Sequence, residues 1–494
     1  MYNITAIYSN ILKVDPIKRQ SIISLFWQIA FTAIGFLSTM YFARTVGAAI
    51  LGAYFLFLSY NGIFSLVTDG GFGGAAIKRI SEGKEPDAYF SASIILRLAF
   101  TILVVLILLV FKDYFVELNY SNMFVWLLLS LLVSMIAGTI ASGVAGMGKI
   151  GIHNTCIGIR NISCVLFQIP AIYLGYEAAG LAGGMVAGAL VATIIEFRFF
   201  DLHFVSFKWV HIKSLSAFSF WLFLTTSGMM VFSQADTIII GHLLDMVNIG
   251  IYRITLQFTM VASFSTNAIR DTLWPRISRW GKTNEIDLVE ESLSRAISYS
   301  LILAIPVFVG GVLLGDRLLL QFYGADFARG YQTLIILLAV QVVNTFQFLF
   351  TMYLDALDNP KESFKVTAVG VVINIVLNFI LIPIMGVSGA AIATLATMTL
   401  NALLARRALS KLMKIQMERQ SLLNILIASI AMGALVGGYR LLIPLSNIWI
   451  TLVAVIIGGT AYSIFVLKLD KQICDDLRKI VETMGMEVIW PGWL

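Results

Sequence analysis

Charge is scarce in this sequence. Of its 494 residues 13% are Asp, Glu, Lys or Arg, 59% are hydrophobic and the mean hydropathy is +0.88. An ordinary soluble domain carries about a quarter charged residues, so this chain has too little polar side chain to cover a water-facing surface. Cysteine is nearly missing as well. Cys156, Cys164 and Cys474 lie far apart with no Cys-x-x-Cys pair, which excludes a disulfide framework and a thiolate metal site. His153, His203, His211 and His242 show no ligand spacing, and no metal or cofactor site is expected. Long polar stretches that could hold a soluble catalytic domain are lacking too; the longest connection, 270–292, is some two dozen residues.

What is present is a succession of apolar runs. A bilayer core about 30 Å thick takes roughly 20 helical residues. Runs of that length lie at 21–43, 51–77, 89–111, 123–146, 156–174, 179–197, 215–243, 249–269, 293–314, 331–354, 364–384, 387–408, 422–442 and 448–467. The expected fold is therefore an all-α polytopic membrane protein with about 14 transmembrane helices. Lys13, Lys18 and Arg19 precede the first run, and no small-residue cleavage site follows it, so it reads as an uncleaved first helix. With both termini set inside and the spans alternating, nearly all Lys and Arg fall on the cytoplasmic side. Opposite them stand Arg44, Lys112, Arg317, Arg329 and Arg440, with Arg97 and Arg253 left within spans. That bias is what the positive-inside rule demands, and it absorbs the net charge of +6 without any need for nucleic acid.

An internal repeat underlies the order of spans. Gly52-Ala53-Tyr54 matches Gly250-Ile251-Tyr252, and Lys78-Arg79-Ile80-Ser81 matches Pro275-Arg276-Ile277-Ser278. Gly146-Met147-Gly148-Lys149 resembles Asp358-Asn359-Pro360-Lys361, and Gly180-Leu181-Ala182-Gly183 resembles Gly386-Val387-Ser388-Gly389. An even number of spans separates equivalent points, so the halves share an orientation: two pseudo-symmetric six-helix lobes, 1–210 and 211–415, then two additional helices and a tail over 416–494. Like-oriented bundles of this kind alternate access across a bilayer.

Several stretches together resemble a known family. They are Tyr41-Phe42-Ala43-Arg44-Thr45-Val46-Gly47, Leu51-Gly52-Ala53-Tyr54, Thr68-Asp69-Gly70-Gly71-Phe72-Gly73-Gly74, Trp274-Pro275-Arg276-Ile277-Ser278 and Phe322-Tyr323-Gly324-Ala325-Asp326-Phe327. In them the chain resembles the polysaccharide-biosynthesis flippases, the Wzx-type O-antigen translocases of the superfamily that also holds the MATE exporters and the peptidoglycan-precursor flippases. The resemblance implies a MATE-like fold in the cell membrane. It also implies movement of a polyprenyl-diphosphate-linked oligosaccharide from the cytoplasmic to the outer leaflet. The implied partners are that lipid-linked substrate, membrane lipids, and the polysaccharide polymerase and glycosyltransferases of the same pathway.

A diphosphate needs cationic donors along its path, and arginine matches phosphate oxygens with its planar fork. Arg97, deep in span three, Arg253 in span eight, and Arg44 and Arg270 at span ends are the candidates for a cationic cleft. For Arg97 a structural ion pair with Asp69 is an equal alternative; Arg44 and Arg253 could snorkel to headgroups, and Arg270, Arg79 and Arg276 could anchor the cytoplasmic face. Asp236 and Asp69 are the deepest acids and candidates for coupling to H⁺ or Na⁺; the membrane potential is the other candidate energy source. Gly70, Gly71, Gly73 and Gly74 lack the strand and the Gly-Lys-Ser/Thr of a phosphate loop and read as a bend or a packing seam. Asn374 and Asn378 are among the polar span residues able either to meet sugar hydroxyls or to join helices. A cation-coupled exporter of organic cations is the competing function. No hydrolytic triad or metal cluster speaks for an enzyme.

Overall fold

The computed structural model describes residues 16–475 and residue 478, and every regular element among them is helical. In chain order these are α1 (Pro16–Asp69), α2 (Phe72–Ser81), α3 (Pro86–Val110), α4 (Met123–Gly146), α5 (Ile150–Tyr173), α6 (Glu177–Phe197), α7 (Trp209–Leu243) and α8 (Met246–Thr259). Then come α9 (Phe264–Lys282), α10 (Ile286–Tyr323), α11 (Ala325–Ala328), α12 (Tyr331–Ala356), α13 (Pro360–Met385), α14 (Val387–Leu409), α15 (Arg419–Leu442) and α16 (Ile448–Leu469). Helices dominate because lipid offers nothing to an unpaired backbone N–H or C=O, and a helix satisfies both internally. Their outer faces confirm the setting: Leu103, Leu106 and Leu109 on α3 are each half exposed or more, a waste of apolar surface in water but not in a bilayer. The chain is a multi-pass membrane protein.

Twelve of the described helices are long and apolar enough to cross a membrane, two fewer than the expected spans. Both differences have local causes. Spans one and two run on as the single helix α1, bent at Gly47, whose φ of 76° and ψ of 178° belong to a region that residues with a Cβ avoid. Span eight is interrupted. Between α8 and α9 the residues Met260–Ser263 form a 3-10 turn, flanked by hydroxyl bonds from Thr259 Oγ1 to the Leu256 carbonyl and from Ser263 Oγ to that of Met260, both at 2.8 Å. The tails expected inside, with Lys13 and Lys479, lie outside the described residues.

The chain divides into two compact units, Met1–Gly250 and Ile251–Leu494. The first is built on backbone contacts that small residues allow. Gly180, Gly184 and Gly188 follow one another at helical spacing along α6, and a Cβ on Gly184 or Gly188 would strike the α5 backbone at Gln168 or Cys164 within 2.8 Å. Gln168 fixes the level of this pair, donating to the Leu181 carbonyl at 2.8 Å and to Tyr54 Oη on α1 at 3.0 Å. Glycine also brings α1 against the start of α8: a Cβ on Gly52 would run into the Met246 carbonyl, and one on Gly250 into the Ala48 carbonyl.

In the second unit α10 is the central post. A buried cluster containing Leu293, Ile297, Leu301, Tyr353 and Leu409 fills its first half. The two C-terminal helices pack along it from its middle onward. Tyr462 Oη donates to the Ile302 carbonyl at 2.7 Å, and Arg440 grips Asp316 with both guanidinium nitrogens at 3.0 and 2.8 Å.

Gly52→Ala is expected to lower the detergent-solubilised melting temperature by several degrees, through clash with Met246. Gly437→Ala, in open space on α15, should leave it unchanged or slightly raise it, as alanine is about 1 kcal/mol better than glycine in a helix. Thermal unfolding of the purified variants measures both.

Candidate functional site

Arg97 lies midway along α3, and only 4% of it is accessible. A guanidinium cannot shed its proton, so a buried one must find a countercharge or donate to neutral oxygens. It does both. One terminal nitrogen is paired with Asp69 Oδ1 at the end of α1, and the other donates to Thr139 Oγ1 on α4 at 3.3 Å. Asp69 in turn accepts the Gly73 N–H on its Oδ2 at 3.3 Å, which ties it to the first turn of α2. The Arg97 Nε–H has no hydrogen-bond partner among the described residues.

Glycine makes the room for this cluster. Any Cβ on Gly73 would collide with the guanidinium, and one on Gly138 would come within 3.4 Å of it. Gly70 and Gly71, with φ of 55° and 79°, turn the chain between α1 and α2, and Gly71 sits hard against the Ser219 carbonyl of α7. Bend and seam, the two readings open for this glycine run, both hold. Beside the ion pair lies a cavity of about 200 Å³ lined by Ser65, Thr68, Asp69, Arg97, Ser134 and Met135. A buried cation with a donor to spare, hydroxyls around it and a carboxylate partner that is a third exposed can exchange one anion for another.

The remaining candidates are distributed over the two units. In the first, Asp236 is buried in α7, with 8% of it accessible, and Arg44 is exposed just before the bend at Gly47. In the second, Arg253 is half-buried on α8, and Arg270 is exposed on α9 with its guanidinium 5.7 Å from the Phe348 ring centre. Of the six, the structure brings Asp69 and Arg97 into contact. Asn374 and Asn378 join helices: Asn378 donates to Asn374 at 3.1 Å and Asn374 to Thr394 across to α14 at 3.4 Å. Sequence reasoning missed Thr139, Ser134 and Gly138. Their signal was a small polar pair, Gly138-Thr139, in an otherwise apolar span, which alone does not point at a partner 42 residues away.

Asp69→Asn should leave the Arg97 charge uncompensated and cost about 2–3 kcal/mol, the lower end for breaking a buried pair because Asp69 is a third exposed. Replacing both residues, as Arg97→Met with Asp69→Leu, should recover most of that stability. Melting temperatures of the single and double variants give the comparison.

The family model "Polysaccharide biosynthesis protein" matches residues 17–280, more than half of the chain, and the MatE model matches 222–380. Two Haloferax volcanii proteins are similar over nearly the whole chain. The probable low-salt glycan biosynthesis flippase Agl15 is 28% identical over 91% of this chain and 96% of its own. The probable flippase AglR is 27% identical over 95% of this chain and 99% of its own. Among solved structures the lipid II flippase MurJ superposes with a TM-score of 0.76 at 17% identity, covering 92% of this chain and all of its own. A multidrug resistance MATE transporter in its inward-facing conformation reaches 0.65 at 15% identity over 77% of this chain and 95% of its own. At those identities the structural likeness is one of fold.

Proposed function

The chain belongs to the polysaccharide biosynthesis protein family, and on that premise we propose that it is a flippase for a lipid-linked glycan carried on a polyprenyl diphosphate. The observation that carries the reading is the similarity, over nearly the whole chain, to two proteins named as probable flippases, one of them for low-salt glycan biosynthesis. The Arg97 centre supplies chemistry suited to such a cargo: a desolvated guanidinium whose Nε–H is unspent and whose counter-ion is displaceable. A diphosphate oxygen would take that donor and compete with Asp69 for the rest of the fork, while hydroxyls such as those of Ser65 and Ser134 meet sugar or water.

In this account the cationic path is exposed to one side of the membrane and then the other, with both termini in the cytoplasm of a cell-membrane protein. Nothing in the cycle makes or breaks a covalent bond. The driving force is drawn from the membrane potential, which contributes about 2.3 kcal/mol per charge per 100 mV, or from H⁺ or Na⁺ taken up at Asp69 or Asp236. Both relatives act in archaea, so the cargo is framed as a glycan class, of which the O-antigen repeat unit is one member. The glycosyltransferases that build such a glycan and the polymerase that extends it are the proposed pathway partners.

The MatE match over 222–380 favours one second reading, an ion-coupled exporter of organic cations. Proteoliposomes separate the two. Flippase function requires that a fluorescent polyprenyl-diphosphate oligosaccharide cross leaflets faster with the protein than without it, as read by a membrane-impermeant quencher. Arg97→Ala should slow that crossing about tenfold or more, the worth of one or two charge-assisted hydrogen bonds. No acceleration by the wild type, with proton-driven uptake of an organic cation in the same vesicles, would establish the exporter instead.

A further inference from the structure

A second cationic site lies in the second unit, where α9 and the beginning of α10 enclose a cavity of about 490 Å³. Its wall on α9 comes from Ile269, Leu273, Arg276 and Trp280, which share one helical face at i, i+4, i+7 and i+11. Its wall on α10 includes Ser292, Arg295 and Tyr299, again at helical spacing. Arg276 is exposed and makes no ion pair among the described residues. Arg295 is joined to Glu291, one turn earlier, at 2.5 Å, which occupies one of its five N–H donors. Ser292 is committed inward, 2.9 Å from Tyr353 Oη, and closes the floor.

Chemically the cavity is graded. Two guanidinium groups against the single carboxylate of Glu291 give it net positive charge at mid-height. Trp280 stands toward the polar turn Lys282–Glu285, while Ile269, Leu273 and Tyr299 lie toward the apolar run of α10 that crosses the membrane. Trp and Tyr favour the membrane–water boundary, and basic groups set there attract anionic lipid heads. Asp287, Glu290 and Glu418 line a neighbouring hollow that shares Glu291 with this cavity, and there Glu290 accepts the Lys414 N–H at 2.6 Å; negative charge thus borders the cavity on that side, and the arginine face is the seat it offers an anion.

We propose that this cavity holds the phosphodiester head of an anionic membrane lipid, with the phosphate between Arg276 and Arg295 and the acyl chains along Ile269 and Leu273. The lipid is a resident of the surrounding bilayer and not the transported cargo, so the proposal stands apart from the flippase reading.

The test uses the purified full-length chain in detergent. Native mass spectrometry should show dioleoyl-phosphatidylglycerol retained at least about tenfold better than dioleoyl-phosphatidylcholine, and the variant carrying Arg276→Gln and Arg295→Gln should lose that preference. Brominated phosphatidylglycerol should quench tryptophan fluorescence, and Trp280→Phe, which leaves both arginines in place, should remove part of that quenching. Inorganic phosphate and glycerol 3-phosphate should not compete at equal concentration, because they lack the chains. Equal retention of the two lipids, unchanged preference in the double variant, or quenching unaltered by Trp280→Phe would each overturn the proposal. Competition by inorganic phosphate as strong as by the lipid would overturn it in favour of a soluble-anion site.

Discussion

A guanidinium in the middle of a membrane helix has no water to solvate it and no proton to lose, and the first unit is arranged around that constraint. Arg97 is held by a carboxylate from α1 and a hydroxyl from α4, and the carboxylate also bonds the first turn of α2. Four helices are thereby fixed relative to one charge. Gly73 is the spatial complement: it leaves volume that the planar fork occupies and that a Cβ would take away, while Gly138 lies in contact with the same group. Replacing such a pair with apolar residues of like volume is commonly neutral for stability, so the charge is not required to hold the fold. In the proposed function the unspent Arg97 Nε–H is what would link the packing of this unit to an anionic cargo.

The same economy of small residues recurs wherever backbones approach. Gly184 and Gly188 bring α6 onto α5, and Gly52 and Gly250 bring α1 against the start of α8. In lipid, helices gain little from hiding apolar surface, so close packing and hydrogen bonds such as Gln168 to Tyr54 carry the association. In the second unit α10 serves that end with larger side chains and with the Arg440–Asp316 fork.

Composition and periodicity were enough to show an all-helical, multi-pass protein, because twenty-residue apolar runs have few other uses. The number of separate helices was less legible. Gly47 could be seen in the sequence, but its φ, and so the joining of two spans into one bent helix, depends on the tertiary course of the chain. The 3-10 turn at Met260–Ser263 is a local change of backbone hydrogen bonding that hydropathy does not register. Of the site, the meeting of Asp69 and Arg97 was open as one alternative because both were costly in lipid and few partners existed. Thr139 and the cavity beside it were not, since contact between residues so far apart in the chain leaves no pattern in a single sequence. The cavity at Arg276 and Arg295 was hidden for a different reason: Arg295 served only the positive-inside count, and Arg276, read as an anchor of the cytoplasmic face, had no partner that the sequence could name.

The central claim is that Asp69 and an anionic cargo compete for Arg97. Its most direct test is the dissociation constant of a polyprenyl-diphosphate oligosaccharide for the detergent-purified wild type, Asp69→Asn and Arg97→Ala, measured by thermophoresis at one ionic strength. Competition requires tighter binding by Asp69→Asn than by the wild type and weaker binding by Arg97→Ala. Weaker binding by Asp69→Asn, or equal affinity in all three, would contradict it.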